Sequence, residues 1–310
     1  MGQLGLGLAA LGRPEYINIR TQKNIDKSEA AFKRNAINVL DEAYKLGIRF
    51  MDTAPSYGKG EAFLKQWNDL RRHKDVSLST KWGYTYVANW ELGYKGAHEV
   101  KEHSLEKLLE QWELSKSLLP NLKVYQVHSA TIESGILENT KVLEKLFEIK
   151  NKTGLKIGLT VSGKDQEIVL KKALEIVYNE RELFDVYQVT YNILEQSTYQ
   201  TLKHLKKAGK FLIIKEAMAN GRLFLPSKAY NILENLAQKY KVGADAIALR
   251  FCLDAIDSDI VLSGAADTRQ LKENLKALRF NLTADEIDLL KSCKIASEQY
   301  WKQRSQLDWD

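Results

Sequence analysis

The alternation of short apolar segments with amphipathic segments predicts that this chain folds as a single (β/α)₈ barrel with one extra C-terminal helix and a tail. Three observations support this fold class. Eight apolar runs have the length and composition of strands, each is followed by a helical pattern, and the unit recurs about every 30 residues. A doubly wound sheet with the same alternation is the alternative. We expect residues 1–310 to form one domain.

The strands and helices follow from the position of the apolar residues. The predicted strands are 4–9, 48–52, 76–81, 122–128, 156–161, 184–190, 211–215 and 259–263. Apolar residues at helical spacing predict helices over 28–46, 60–72, 104–118, 140–152, 165–178, 197–207, 228–240, 244–254 and 268–278. Thr283 and Glu286 have the spacing of a capping box, which predicts the added helix. Residues 82–100 show no element, and a loop of this length is typical of a pocket wall, although its aromatic residues are also compatible with local surface packing.

The composition argues against several classes of protein. The net charge is +6, but lysine and arginine are dispersed among acids, so we expect neither a nucleic-acid nor a membrane partner. The two cysteines do not form a CxxC pair, and no metal-binding spacing such as HxxH is present, so we expect buried thiols and no metal. The N-terminus has no signal-peptide pattern, and no apolar run reaches the length of a membrane span. These features predict a cytoplasmic protein.

Chemically active residues occur where three predicted strands end. Asp52 and Tyr57 lie in the stretch DTAPSYG, which follows the second strand. Lys81 ends the third strand and His128 ends the fourth. In a barrel the carboxyl ends of the strands form one face, so these four side chains can converge. Taken singly, each also has an ordinary structural role open to it, such as a turn cap or a packed aromatic ring.

These four residues resemble the catalytic tetrad of the aldo-keto reductases. The resemblance covers nearly the whole chain, and its motifs occur in the order typical of the family. They are LGLG at 4–7, DTAPSYG at 52–58, STKWG at 79–83, YQVHS at 125–129, IGLTVSG at 157–163, VYQVTYN at 186–192 and SGAADTRQLKENL at 263–275. Each motif is weakly specific alone, but seven in order are strong evidence. The resemblance implies an oxidoreductase that interconverts a carbonyl and an alcohol with NADP(H).

The resemblance also implies a role for each member of the tetrad. Tyr57 would be the general acid or base, since a tyrosine keeps its proton at neutral pH and can donate it. The ammonium of Lys81 would stabilise the resulting phenolate, and Asp52 would hold Lys81 in place. His128 would orient the substrate oxygen as a neutral imidazole. A short-chain dehydrogenase is a poorer match, because its tyrosine and lysine lie four residues apart on one helix.

The nicotinamide end of the cofactor site departs from the family pattern. Ser162 and Gln188 match the residues that hold the carboxamide, and Gly7 would lie close to the nicotinamide. Glycine occupies position 163, where the family has asparagine. Lys215 stands about where many relatives stack a tyrosine on the ring, and Glu216 is a candidate partner for its ammonium.

The adenosine end of the cofactor is implied to lie against the last motif. The matching residues are Gly264, Ala265, Gln270, Glu273 and Asn274. Ser263 stands near the position of the Lys-Ser pair of NADP-specific members, and Arg269 is a candidate phosphate ligand. The backbone amides at the start of helix 268–278 would also favour phosphate. Gln270 stands where NADP-specific members have an arginine, so NADP(H) is expected from the habit of the family and NAD(H) stays open.

The substrate is expected to be a small carbonyl or alcohol compound. Trp82 and Tyr84 of the long loop and Trp301 of the tail are the candidate substrate contacts. Two other classes of function stay open: a cofactor-binding regulatory subunit similar to channel β subunits, and a barrel isomerase or dehydratase. The oligomeric state, monomer or homo-oligomer, also stays open.

Overall fold

Eight parallel strands close into a barrel in the computed structural model, which describes residues 2–17, 19 and 25–309. The strands are β1 (Gln3–Gly7), β2 (Phe50–Asp52), β3 (Ser77–Trp82), β4 (Leu122–Ala130), β5 (Lys156–Val161), β6 (Val186–Thr190), β7 (Phe211–Lys215) and β8 (Ile260–Ser263). Each strand pairs with its neighbour in the sequence, and β1 pairs with β8 from Gln3 opposite Ile260 to Leu6 opposite Ser263. The predicted (β/α)₈ barrel is therefore confirmed.

Helices surround the barrel and connect its strands. They are α1 (Glu29–Lys45), α2 (Gly60–Arg71), α3 (Leu105–Ser115), α4 (Thr140–Thr153), α5 (Gln166–Leu174), α6 (Tyr199–Lys207), α7 (Lys228–Tyr240), α8 (Ala244–Ile256), α9 (Thr268–Leu275), α10 (Ala284–Lys291) and α11 (Ser297–Ser305). Short 3₁₀ turns cover Lys116–Leu118, Ile136–Glu138, Ala219–Phe224 and Lys276–Arg279. The predicted capping box is present at the start of α10. Across 2–17, 19 and 25–309, no helix is long and apolar enough to span a membrane.

Three segments differ from the sequence prediction. Helix α5 ends at Leu174, four residues early, because residues 177–178 and 181–182 pair as a hairpin whose turn residues Asn179 and Glu180 both have positive φ. The segment predicted to lack elements, 82–100, contributes a second hairpin from residues 84–86 and 99–101. The predicted tail contains helix α11, so two helices follow the barrel. The sequence also predicts a polar connection over 12–27, between the first strand and the first helix, and residues 18 and 20–24 of it lie outside the described residues.

The barrel interior changes from apolar to polar along the strands. Near the amino ends, a small cluster is formed by Phe50, Val124, Val186, Ile213 and Ile260. Alternate residues of a strand face the same side, so the residue two positions later also points inward. Those residues include Asp52, Gln126, Gln188 and Lys215. The apolar layer thus supports a polar layer at the carboxyl ends, where the active face of a barrel lies.

Candidate active site

A buried ion pair between Asp52 and Lys81 forms the centre of the polar layer. Lys81 Nζ donates to Asp52 Oδ2 at 2.5 Å and to the carbonyl oxygen of Thr53 at 2.9 Å. The amides of Gln126 and Gln188 donate to Asp52 Oδ1 at 3.3 and 3.1 Å. Both charged side chains are almost fully buried. Burial lowers the pKa of Lys81, and Asp52 opposes this shift. The ammonium is therefore held by two oxygens at the end of β2, and side chains of β4 and β6 hold Asp52 in turn.

Tyr57 lies directly beside this ion pair. Lys81 Nζ is 4.7 Å from the centroid of the Tyr57 ring. Burial and the charge of Asp52 raise the pKa of Tyr57 well above its ordinary value. The phenol therefore keeps its proton at neutral pH, as a proton donor must. The short turn after β2 brings it there.

His128 completes the group and is uncharged. Its ring is 5.5 Å from the Tyr57 ring in an edge-to-face arrangement, and Ser56 Oγ is 3.3 Å from its Nδ1. Burial, followed by the positive charges of Lys81 and Lys215, lowers the pKa of His128 well below its ordinary value. A neutral imidazole whose Nδ1 faces Ser56 has Nε2 free for another hydrogen bond.

A cavity of about 960 Å³ opens above these residues. Most of the predicted site residues lie on its wall. They are Gly7, Asp52, Tyr57, Tyr84, His128, Ser162, Gln188, Lys215, Ser263, Gly264, Ala265, Gln270 and Asn274. Lys81 lies beneath the wall, in contact with Asp52. The cavity therefore joins the Tyr57 region to the beginning of α9.

Two predicted substrate contacts, Trp82 and Trp301, do not line the cavity. Lys81 points into the barrel, so the next residue, Trp82, points outward, where it is fully buried against His103 at 5.5 Å between ring centroids. Trp301 packs on the core beside Tyr300. Tyr84 is on the wall, 4.8 Å from the His128 ring. Trp82 and Tyr84 face different surroundings because the barrel strand ends at Trp82, Gly83 turns the chain with a φ of 102°, and Tyr84 belongs to the hairpin that follows.

Two predicted cofactor contacts in α9 also lie away from the cavity. Arg269 is exposed on the outer side of the helix and is not part of the wall. Glu273 forms an ion pair with Lys276 at 2.6 Å. Their neighbour Gln270, one residue from Arg269, does face the cavity, because successive helix residues point in directions about 100° apart.

Part of the wall was not predicted. Arg13 is 2% exposed and forms an ion pair with Glu99. Its guanidinium lies 4.4 Å from the ring of Tyr16, 5.2 Å from that of Tyr57 and 4.9 Å from that of Trp309. These residues come from distant parts of the chain. The sequence predicted loop 82–100, which contains Glu99, as a pocket wall and the tail as a substrate contact, but of the tail residues it selected Trp301 and not Trp309.

A second ion pair on the wall joins the end of β7 to the C-terminal helix. Arg304 Nε donates to both carboxylate oxygens of Glu216 at 3.0 Å, and Arg304 Nη2 adds a contact at 2.5 Å. Burial alone would raise the pKa of Glu216, but Arg304 and then Lys215 lower it to about 2. Lys215 itself donates to Thr190 Oγ1 at 2.8 Å and is 3.9 Å from Glu216. Glu216 thus pairs closely with Arg304 and, at a longer distance, with Lys215, the partner considered from the sequence.

The Glu216–Arg304 pair is expected to make stability depend on acid pH. A carboxyl whose pKa falls from 4.5 to about 2 on folding stabilises the folded state above pH 4.5, and the contribution is lost as pH falls towards 2. The shift corresponds to about 3 kcal/mol. In urea unfolding at neutral pH, the free energy of unfolding of wild type should exceed that of Glu216→Gln by about that amount. The two free energies should converge as the pH is lowered. A difference that does not change with pH would contradict this assignment.

The far end of the cavity lies at the start of α9. The carboxylate of Asp267 caps this helix by accepting a hydrogen bond from the backbone N–H of Gln270 at 2.7 Å. Gln270 Oε1 in turn accepts from the amide of Ala266 at 2.9 Å. Asp245 also lines this end and accepts from Asn274 Nδ2 at 2.5 Å. Carboxylates and amides therefore form the polar surface here.

The nicotinamide end suits a carboxamide. Gln188 Oε1 is buried without a hydrogen-bond partner within the described part of the chain, and it is available to a carboxamide N–H. Gly163, where the family has asparagine, has a φ of 93°, which favours glycine. Apart from its two neighbours in the chain, no atom of the described residues lies within 4 Å of the place where its side chain would begin. The residues present fit a nicotinamide dinucleotide without that asparagine.

The fold and the cavity define a barrel enzyme whose chemistry lies at the carboxyl ends of its strands. A family model described as "Aldo/keto reductase family" matches residues 3–295, so the chain belongs to the aldo/keto reductase family and is an oxidoreductase of carbonyl and alcohol groups.

Similar proteins include an uncharacterized oxidoreductase, YqkF, of Bacillus subtilis (strain 168), which is 25% identical over 94% of this chain and 92% of its own length. The NADH-specific methylglyoxal reductase of Escherichia coli (strain K12) is 22% identical, and 96% of each chain is covered. Among solved structures, the holo form of aldo-keto reductase AKR11C1 from Bacillus halodurans has a TM-score of 0.69 at 24% identity, covering 96% of this chain and 94% of that one. At this identity the likeness shows the fold alone.

Proposed function

We propose that the protein reduces a small carbonyl compound, with Tyr57 as the general acid and a nicotinamide dinucleotide as its cofactor. The observation that carries this proposal is the buried Asp52–Lys81 pair directly beside the protonated phenol of Tyr57. The dinucleotide, when bound, supplies the hydride in reduction and accepts it in oxidation. The residues of the chain supply the proton and orient the carbonyl oxygen.

Each of the four residues has a separate task. Tyr57 donates its proton to the substrate oxygen as negative charge develops there. The Lys81 ammonium stabilises the phenolate that remains, and Asp52 keeps that ammonium in position. Neutral His128 donates a hydrogen bond from Nε2 to the same oxygen, so that two donors converge on the developing charge. In the oxidation direction, the Tyr57 phenolate is the base.

The cofactor wall favours NAD(H) over the NADP(H) expected from the habit of the family. A 2′-phosphate needs a cation, but the polar residues described at the start of α9 include the carboxylates of Asp245 and Asp267. The candidate phosphate ligand Arg269 is turned away from the wall. A carboxylate near the ribose instead accepts hydrogen bonds from free hydroxyl groups. The E. coli relative is named NADH-specific, which agrees with this assignment.

Titration of the purified protein with NADH and NADPH tests the cofactor assignment. We expect NADH to bind about tenfold more tightly than NADPH, because the Asp267 carboxylate repels the 2′-phosphate. Asp267→Asn keeps the helix cap but removes the negative charge, so it should reduce the difference in affinity between NADH and NADPH. Arg269→Ala should leave both dissociation constants unchanged. Tighter NADPH binding that Arg269→Ala abolishes would instead support the NADP(H) assignment.

The reaction itself is tested with a panel of aldehydes, ketones and sugars. We expect loss of the reduced dinucleotide that depends on the carbonyl compound and is abolished in Tyr57→Phe. Tight dinucleotide binding without turnover of any compound would favour a regulatory role. Conversion of a compound without added cofactor would favour an isomerase or dehydratase.

A further inference from the structure

We propose that Lys215 makes the cofactor site select the reduced dinucleotide, because its ammonium repels the cationic oxidised nicotinamide and not the neutral reduced ring. This inference rests on the proposed function, since it requires a nicotinamide dinucleotide in the cavity. It assigns to a residue of β7 a role in the relative affinity of the site for the two redox forms of the cofactor.

Lys215 differs from the other cations around this end of the cavity. Among the described residues, three other cations here are in direct contact with a carboxylate. The ion pairs are Arg13–Glu99, Lys81–Asp52 and Arg304–Glu216. The nearest carboxylate oxygen to Lys215 is that of Glu216, at 3.9 Å. The three pairs are neutral overall. Among the described residues, the three pairs and Lys215 together therefore carry one net positive charge. Within the same part of the chain, Arg222, a buried cation that does not line the cavity, bonds only to the carbonyl oxygens of Ala219 and Tyr300 and does not neutralise it.

Glu216 is not free to turn towards Lys215. Arg304 holds both of its carboxylate oxygens, and Asn192 Nδ2 donates to its backbone carbonyl at 2.9 Å. Its φ of 57° lies in the left-handed region, which further limits the backbone. Lys215 has three N–H donors and one short hydrogen bond, to Thr190 Oγ1. Its side chain is 16% exposed and lines the cavity, so the remaining donors are available to a ligand.

The route of a bound dinucleotide passes over Lys215. The cavity wall crosses the ends of four consecutive strands, at Ser162, Gln188, Lys215 and Ser263. A dinucleotide that brings its reactive ring to Tyr57 and its other end to α9 must cross β6 and β7. The unpartnered Gln188 Oε1 accepts a carboxamide N–H on the strand adjacent to Lys215. The nicotinamide thus lies against the ammonium.

The charge on Lys215 also gives the selection a pH dependence. Burial lowers the pKa of Lys215 to about 8; Glu216 and Asp52 oppose this shift, whereas Arg304 and Lys81 add to it. Other titratable groups of the described wall also face this space. His128 is neutral, burial raises the pKa of Tyr57 well above its ordinary value, and burial raises the pKa of Tyr16 and of Tyr84 to about 12, so these groups do not change charge near pH 8. The Arg13–Glu99 ion pair also lies on this wall. Loss of the Lys215 proton above pH 8 should therefore weaken the preference for the reduced form.

The test compares dissociation constants of the reduced and oxidised forms of the same dinucleotide, measured by tryptophan fluorescence. We expect wild type to prefer the reduced form. Lys215→Met should lower that preference about tenfold, mainly through tighter binding of the oxidised form, since repulsion of unit charges a few ångströms apart is large in a partly buried site. Lys215→Arg should retain the preference. Raising the pH from about 7 to about 9.5 should lower it in wild type and not in Lys215→Met.

Control variants distinguish a local effect of Lys215 from a general effect of charge. Lys207→Met removes an exposed lysine of α6, so it should leave both constants unchanged. If Lys215→Met changed the dissociation constants of the reduced and oxidised forms by the same factor, Lys215 would lie against a phosphate, and the proposal would be overturned. An unchanged ratio would overturn it too, while leaving the proposed function intact. Failure of wild type to bind either form would overturn both.

Discussion

Tyr57→Phe is expected to lower kcat/KM for carbonyl reduction by about a hundredfold to ten-thousandfold, the range that a positioned general acid contributes. The hydroxyl is the proton donor in the proposed reaction, and phenylalanine removes it while keeping the ring. The ring contacts to His128 and Lys81 are retained, so dinucleotide binding should change little. Initial rates with a carbonyl substrate, together with fluorescence titration of the cofactor, measure the two effects separately.

Tyr84→Phe is the matched control for Tyr57→Phe. It removes the hydroxyl of another tyrosine on the wall, whose ring is 4.8 Å from that of His128. Burial raises the pKa of Tyr84 to about 12, so it too is protonated at neutral pH. We expect at most a small loss of rate. A larger loss for Tyr84→Phe than for Tyr57→Phe would mean that Tyr57 is not the proton donor.

Asp52→Asn should destabilise the protein by about 3–5 kcal/mol, because it leaves the Lys81 ammonium buried without a counter-charge. The amide is close in shape to the carboxylate, so the loss reports charge rather than packing. The activity should also fall, since Lys81 is no longer held beside Tyr57. Urea unfolding measures the first effect and steady-state kinetics the second.

The double variant Asp52→Asn/Lys81→Met gives this prediction its internal control. Removing both charges removes the uncompensated ion, so much of the lost stability should return. Activity should not return, because the ammonium beside the phenol is absent. A stability loss below about 1 kcal/mol in Asp52→Asn would mean that water or another group neutralises Lys81.

The four residues of the candidate tetrad were predictable because each lies at or just after the end of a strand. A strand is marked by its own apolar residues, and the carboxyl ends of parallel strands meet on one face whatever the loops do. Asp52, Lys81 and His128 therefore converge as a consequence of local pattern and barrel closure. Their catalytic roles stay a prediction.

Side-chain direction was harder to predict where it depends on a single residue of register. Lys81 faces the barrel interior, so Trp82 faces the surrounding helices, although both looked suitable for the pocket. Arg269 and Gln270 differ in the same way on a helix. The turn at Asn179 and Glu180 was missed because neither residue is glycine, yet both adopt positive φ.

The sequence by itself determined the barrel, the order of its elements and the residues that meet at its centre, because these follow from periodic patterns within about 30 residues of chain. Only the tertiary structure decided the charge of the wall. Arg13 meets Glu99 across 86 positions, and Arg304 meets Glu216 across 88. The sequences of the loops and of the C-terminal helix contain no periodic pattern from which such contacts could be predicted. Those distant pairings take up the carboxylates of Glu99 and Glu216, so that Lys215, on the described part of the wall, has only a 3.9 Å contact to a carboxylate that Arg304 already holds.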